Sequence, residues 1–367
     1  MKKYLVLGIS SQLGGVETFI FNYIENMKAF SEEDRYEFVV FDKLPDFVKK
    51  SKLAGNKFHI VPSRIRNPIG YYKGLCEILS ENNYDVLWYN ACTLSDITLL
   101  KLAKKYRIPC RIIHSHNSKN MGGKLVGLLH TLHKAEIAKF ANEFFACSGV
   151  AGEYMFPNRI NRDCVKIIRN AIDVEKYDYN TLVRATKRRE LGVEDKLLIG
   201  NVGRFHFQKN HDFIIDIFEK VLLQNRDSKL LLVGNGELKS KIIKKSEKLG
   251  IRNDIIFLEN RSDINELLQA VDVFLMPSLF EGLPFALIEA QAADLPCVIS
   301  DTISEEAIIT ENVCVLPLKE EPEMWAECII RIASETYRKS QASLLEKKGF
   351  DISCNAKIIV EYLNEKY

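Results

Sequence analysis

The chain has 367 residues, which at about 100–200 residues per domain implies two domains, each with a core of its own, and excludes a single small module. Apolar residues make up 47% and charged residues 27%, the mix of a folded globular protein, so disorder and fibrous repeats are excluded too. The formal charge of +2, from 51 basic and 49 acidic side chains, taken whole gives no reason to expect nucleic acid or another polyanion as partner.

In chain order, MKKYLVLGISS opens on an apolar run too short for a signal-peptide core. Residues 3–9 are predicted as a strand. Residues 15–29 follow as a helix, with Val16, Phe19, Ile20, Tyr23, Ile24 and Met27 on one face. Strands are then expected at 37–41, 57–61, 85–90, 111–116 and 143–148, with helices near 70–82, 94–106 and 123–141. The stretch 173–190 is polar with a weak apolar pattern and is expected to connect two halves. Beyond it the rhythm restarts, with strands at 197–203, 229–234, 255–259, 273–278 and 296–300. Alternating strands and helices of this kind form an α/β fold with mostly parallel sheets covered on both faces. Nowhere do about 18 uninterrupted apolar residues occur, so no membrane-spanning helix is expected. Nine scattered cysteines without a C-x-x-C pair are expected to be reduced thiols of a cytoplasmic protein. The histidines are not set at metal-ligand spacings with Cys or Asp, and no metal site is expected.

Ligands of open α/β sheets sit beyond the carboxyl ends of the strands, where helix N-termini offer free N–H groups. Gly14 and Gly15 follow the first strand and precede a helix, which suits a phosphate and equally suits a plain strand-to-helix turn. His116 and Asn117 end the strand near 111–116 and are placed to meet a polar substrate, whereas His114 fits a core position. Arg204 and Lys209 lie on one loop beyond Gly203, two cations able to neutralise a diphosphate or simply a solvated basic loop. Gly234 and Gly236 imitate a dinucleotide fingerprint, but Lys239 stands at the third glycine position, so a tight turn lining the crevice is expected instead of NAD binding. In M-P-S-L-F-E-G-L-P-F-A-L-I-E-A, Glu281 precedes a helix start and Glu289 lies more than one turn inside it. Two carboxylates separated by free first-turn amides can grip sugar hydroxyls, a phosphate and ribose hydroxyls in that order.

At this Glu-x7-Glu stretch the sequence resembles the retaining glycosyltransferases of family 4. Further matching segments run in the same order: G-G-V-E-T (14–18), H-S-H-N (114–117), A-C-S (146–148), R-N-A-I-D (169–173), G-R-F with K-N (203–210) and V-G-N-G-E (233–237). The wording is similar to that of bacterial enzymes assembling exopolysaccharide or capsule repeats. The resemblance implies a GT-B fold, two facing Rossmann-like domains with a nucleotide-sugar cleft between them. It divides the chain into an N-terminal acceptor-binding domain (1–175), a C-terminal donor-binding domain (176–350) and a last helix (351–367) crossing back to the first domain. By the same resemblance, Arg204 and Lys209 bind the donor diphosphate, Glu281 and His116 contact the transferred sugar, and Glu289 holds the ribose. Gly14, Gly15, Gly234 and the Leu283, Phe285 and Ala286 backbone line the donor, and Asn117 meets the acceptor.

No separate cofactor or metal is implied; the nucleotide sugar, a UDP-sugar, is itself the donor substrate. The implied reaction retains the anomeric configuration by a front-face route, so Glu281 and Glu289 are not the acid and nucleophile of a hydrolase. Another GT-B enzyme, such as a UDP-sugar epimerase or a phosphorylase, and a non-catalytic nucleotide-sugar-binding partner are the competing readings. Two positions depart from the family pattern. Pro284 has no N–H to offer the donor, and Asp294 stands at a usual glycine, for which a small cost in stability is expected. Charge sharpens the expected partners: 25 basic and 16 acidic residues up to Asn170 give +9, and 26 against 33 beyond it give −7. Lys49, Lys50, Lys52, Arg64, Arg66, Lys101, Lys104, Lys105 and Arg107 fall in the first half. That half is expected to rest on the anionic inner face of the cell membrane and meet a lipid-linked saccharide acceptor there.

Overall fold

Each run of alternating apolar and amphipathic segments closes into its own parallel sheet. The structure is a computed structural model describing every residue except Met121, Asn260 and Thr336. The chain divides into two units, Met1–Ala171 with Ile352–Tyr367, and Ile172–Asp351.

Unit 1 runs β1 (Lys3–Leu7), α1 (Gly15–Phe30), β2 (Arg35–Phe41), α2 (Asp46–Lys49), β3 (Lys57–Val61), α3 (Pro68–Glu81) and β4 (Val86–Ala91). It continues with α4 (Thr98–Lys105), β5 (Cys110–Ser115), α5 (Gly123–Lys134), β6 (Glu143–Ala146), α6 (Gly149–Met155) and β7 (Val165–Ile167). The strands are ordered β3-β2-β1-β4-β5-β6-β7. Leu5, in the central strand, lies opposite Glu37 of β2 and Leu87 of β4. Tyr4, Leu5, Val6, Phe38, Val39, Leu87 and Trp88 are all buried, as expected for strands covered on both faces. The α1 stripe of Phe19, Ile20, Tyr23, Ile24 and Met27 faces the core, so the 3.6-residue period locates its buried side.

Unit 2 runs α7 (Val174–Tyr177), α8 (Thr181–Leu191), β8 (Leu197–Val202), α9 (His211–Gln224), β9 (Ser228–Val233), α10 (Lys239–Lys248) and β10 (Ile255–Leu258). Then come α11 (Ile264–Ala270), β11 (Val273–Met276), α12 (Phe285–Ala292), β12 (Cys297–Ser300), β13 (Val313–Leu316), α13 (Pro322–Glu335) and α14 (Ala342–Lys347). Its sheet is ordered β10-β9-β8-β11-β12-β13. The last helix, α15 (Ile352–Lys366), belongs to unit 1 and packs on α1. There the buried Glu143 of β6 accepts from Lys366 Nζ, Tyr362 Oη and Tyr367 Oη, each at 2.5 Å.

Three sequence expectations differ from the structure. The stretch 173–190 is no connector: it forms α7 and α8, and α8 is held to unit 2 by charge rather than by an apolar stripe. Arg188 donates to the carbonyls of Ala270 and Val193, both at 2.8 Å, and to Asp272 at 3.0 Å. Lys187 pairs with Glu190, Asp263 and Glu266 within 3.1 Å. The helix expected over 123–141 ends at Lys134, and a separate 3-10 turn follows at Ile137–Lys139. The edge strands β7 and β13 are only three and four residues long, too short to show a period.

Candidate functional site

Where strand order reverses in a parallel sheet, the loops leaving the two neighbouring strands diverge and open a crevice at their carboxyl ends. In unit 2 the reversal lies between β8 and β11. The loops leaving these strands carry Arg204 and Lys209 on one side and Glu281 on the other. Backbone and amide bonds sew them together. The Leu279 N–H donates to the Gln208 carbonyl at 2.8 Å, Gln208 Nε2 to the Phe280 carbonyl at 3.0 Å, and Asn210 Nδ2 to the Pro277 carbonyl at 3.1 Å.

That stitching brings Lys209 Nζ within 2.8 Å of Glu281 Oε1, with both side chains mostly withdrawn from solvent. Gly203 makes room for the lysine stem, since a Cβ there would lie 3.1 Å from Lys209 Cε. Arg204 remains exposed and pairs with Glu237 Oε2 at 3.1 Å. Each of the two expected cations is thus matched by a carboxylate. Gly234 and Gly236 take positive φ of 146° and 155° where the loop after β9 crosses the loop after β8. A Cβ on Gly234 would fall 2.1 Å from the Gly203 carbonyl oxygen. Contact within the protein therefore accounts for the Gly234 glycine, and no ligand is needed to explain it.

Helix α12 begins beside this loop. Pro284 is its N-cap, and the Pro284 carbonyl accepts from the Leu287 and Ile288 N–H groups. Leu283 is buried, while Phe285 and Ala286 are half-buried in the first turn, whose amides have no acceptor within the helix. Glu289, one turn further on, is half-buried, and its Oε1 accepts from Tyr177 Oη at 2.8 Å. Burial pushes the Glu289 carboxyl up, opposed by that hydrogen bond. Tyr177 lies in the stretch 173–190, whose weak apolar pattern does not mark it; its sequence signal is its place just after R-N-A-I-D.

In unit 1 the reversal lies between β1 and β4. Gly8, at φ 140°, lets β1 end against Asn90 of β4, whose Cβ is 2.7 Å from where a glycine Cβ would stand. Asn90 organises this edge. Its Nδ2 donates to the Leu7 carbonyl at 3.3 Å, so its Oδ1 is the acceptor for His116 Nε2 at 2.9 Å. His116 therefore carries its proton on Nε2, and burial lowers its pKa to about 3. Its ring meets Phe19 edge-on at 4.7 Å. His114 is fully buried, as its core assignment requires. Asn117 spends its side chain locally, donating to the Lys119 carbonyl at 2.9 Å and accepting from the Ser118 N–H at 3.2 Å.

Gly14 is the N-cap of α1, but its N–H is taken by Glu17 Oε2 at 2.9 Å, while Glu17 Oε1 accepts from the Ser10 N–H at 2.8 Å. A buried carboxylate thus closes the β1–α1 turn, and the Gly14 amide is already used. Gly15 differs: a Cβ there would meet nothing within 4 Å. Glu17 and Asn90 are the residues of this edge that motif reading missed. Both act through partners that the spacing does not reveal.

The two sheets with their reversal-point loops have the GT-B architecture, and residues 183–348, nearly all of unit 2, match the family described as glycosyl transferases group 1. That match covers a little under half of the chain. Over 360 residues the chain is 29% identical to the putative glycosyltransferase EpsF of Bacillus subtilis (strain 168), covering 96% of this chain and 93% of that one. It is 28% identical over 245 residues to the UDP-Gal:alpha-D-GlcNAc-diphosphoundecaprenol alpha-1,3-galactosyltransferase of Escherichia coli, covering 58% of this chain and 63% of that one. Among solved structures, HepE of Anabaena in complex with UDP-glucose superposes with a TM-score of 0.80 over 100% of both chains at 18% identity, a likeness of fold.

Proposed function

We propose that the protein transfers a hexose or N-acetylhexosamine from a UDP-sugar to a lipid-linked saccharide, with retention of configuration, in the assembly of an exopolysaccharide or capsule. The observation that carries this reading is the Lys209–Glu281 ion pair, held at the strand-order reversal of unit 2 beside the start of α12. A lysine withdrawn from solvent is a fixed positive charge in a low-dielectric setting, and there it stabilises charge developing on a departing diphosphate far more than in water. Arg204, exposed at the rim, adds to the same field. Glu281 balances Lys209 and accepts a hydroxyl of the transferred sugar. Glu289, oriented by Tyr177, accepts from the ribose hydroxyls.

Gly15 lets a phosphate approach the start of α1. His116, neutral and donating its Nε2–H to Asn90, turns Nδ1 to a sugar hydroxyl as an acceptor. In the transfer step the acceptor hydroxyl oxygen bonds to the anomeric carbon as the bond to the phosphate oxygen breaks, and the hydroxyl proton passes to that phosphate oxygen. Neither carboxylate serves as nucleophile. The E. coli relative is named for a UDP-Gal donor and a diphosphoundecaprenol-linked sugar, which supports a UDP-sugar donor and a lipid-linked acceptor for this chain.

The experiment is incubation of the purified protein with a panel of UDP-sugars and a lipid-linked acceptor. Lys209→Ala and Glu281→Ala should each lower turnover by more than about tenfold while the fold is kept, because loss of one transition-state contact costs a few kcal/mol. Near-normal rates in both variants would remove the site assignment. Release of a free epimer would identify an epimerase, and binding without turnover a partner subunit.

A further inference from the structure

Two cysteines of unit 2 that stand 14 positions apart in the sequence meet in the fold. Cys314 lies in β13, at the edge of its sheet beside β12, and Cys328 lies on α13. The buried face of α13, with Trp325, Ala326, Cys328 and Ile329, packs on α9 and across β11 and β12. Cys314 and Leu316 join the same apolar cluster from β13. The Cys328 thiol thereby reaches Cys314 Sγ at 2.9 Å. A disulfide holds its sulfurs about 2.0 Å apart, so forming one here asks the side chains to close by about 1 Å.

The two thiols differ in setting. Cys328 is buried, whereas Cys314 is half-buried. The hydrogen bond from Cys328, with the nearby Arg331 guanidinium, holds the Cys314 thiol below the usual thiol range. The same bond, together with burial, holds the Cys328 thiol above that range. Arg331 Nη2 lies 3.8 Å from Cys328 Sγ, and its Nη1 lies 3.4 Å from Glu335 Oε2 at the surface. Burial does the opposite at Cys110, pushing that thiol up to about 12. Among the described residues no group of three or more His, Cys, Asp or Glu is placed to hold a metal ion. A partly exposed thiolate beside a cation, with a second thiol in contact, is the setting of a redox pair.

We infer that Cys314 and Cys328 form a reversible disulfide when the protein meets a hydroperoxide, fastening α13 to the edge strand β13. The Cys314 thiolate attacks one peroxide oxygen and the O–O bond breaks. Cys314 becomes a sulfenic acid, and the departing hydroxide takes up the proton that the Cys314 thiol gave up. The Cys328 sulfur then attacks the sulfenic sulfur, the S–S bond forms as the S–O bond breaks, and the Cys328 proton leaves with that oxygen as water. In sum, two thiols lose two electrons and two protons, and hydrogen peroxide becomes two waters. An edge strand of four residues is held on one side alone, and a cross-link to α13 restrains it and the unfolded chain together.

The test adds hydrogen peroxide to the fully reduced chain, blocks the remaining thiols with iodoacetamide and maps tryptic peptides by mass spectrometry. Cys314 falls in peptide 262–319 and Cys328 in peptide 320–331, so the bond joins two peptides into a species lacking two hydrogens. That species should form about tenfold faster than the exposed Cys92 and Cys164 are oxidised, and should separate again in dithiothreitol. Oxidation should raise the thermal midpoint by several degrees until the bond is reduced. Peptide 262–319 also holds Cys297, so Cys314→Ser identifies the partner and should abolish the joined species. In Cys328→Ser, Cys314 should stop at the sulfenic acid and take up dimedone. A joined species that persists in Cys314→Ser, or dimedone uptake by Cys328 in that variant as fast as by Cys314 in Cys328→Ser, would overturn the proposal. So would formation in the parent no faster than oxidation of Cys92 and Cys164, a comparison that needs no variant. None of these readouts depends on sugar transfer.

Discussion

The hydrogen bond from Tyr177 acts on a carboxylate, Glu289, that we propose holds the ribose of the donor. Burial alone favours the protonated carboxyl of Glu289, and the Tyr177 hydroxyl offsets this by donating to Oε1. Tyr177→Phe should weaken UDP-sugar binding several-fold, about the 1 kcal/mol of one hydrogen bond, with little change in the maximal rate; titration calorimetry measures it. Asp294 reverses an expectation. Its φ of 50° is the left-handed conformation that favours glycine, yet its carboxylate accepts from Asn312 Nδ2 and Gln341 Nε2 at 2.8 Å and from the Lys339 N–H at 2.6 Å. The aspartate holds α14 in place. Asp294→Gly should therefore lower unfolding free energy by about 2–3 kcal/mol in denaturant titrations, where the sequence alone suggested a gain.

Buried histidines set a pH dependence, and burial lowers the pKa of His114 and His130 as it does for two others. His211, stacked on Phe205 at 4.2 Å, has its pKa lowered to about 3 by burial and by Lys209, and His116 is lowered to about 3 by burial. Between that value and the unfolded value of about 6.5 the unfolded chain binds more protons, so stability falls as pH drops through this window. His211→Phe should flatten the slope of unfolding midpoint against pH.

At the scale of elements, two glycines differ in what a side chain would meet: protein backbone at Gly234 and open space at Gly15, where we propose a phosphate approaches. Gly234→Ala forces a Cβ against the Gly203 carbonyl oxygen and should destabilise unit 2. Gly15→Ala meets no protein atom and should leave the thermal midpoint unchanged while donor affinity falls. The central strands were legible because parallel strands buried on both faces read as continuous apolar runs, and the α1 stripe because its period is regular. Helix α8 was not legible because Arg184, Lys187 and Arg188 hold it through carboxylates and carbonyls, which leave no hydrophobic period. The loops at the reversal points were legible as motifs, and their residues fall at the strand ends. Their partners were not: Asn90, Glu17 and Tyr177 act across contacts that the tertiary structure makes.

For the whole molecule, α15 ties the end of the chain to its beginning. It packs on α1 and satisfies the buried Glu143, so a chain ending at Asp351 leaves that carboxylate without its three donors. Such a chain should lose the cooperative transition of unit 1, sixteen residues at one end unsettling strands at the other. A net charge of +2 conceals a first half at +9 and a second at −7. Sugar transfer at the Lys209–Glu281 loops, as we propose it, is read by mass spectrometry of the lipid-linked acceptor after incubation with UDP-sugars. The acceptor should gain the mass of one sugar residue with one of the UDP-sugars, and the gain should be lost in Lys209→Ala. An unchanged acceptor with every donor, or the same gain in Lys209→Ala at the parent's rate, would contradict it.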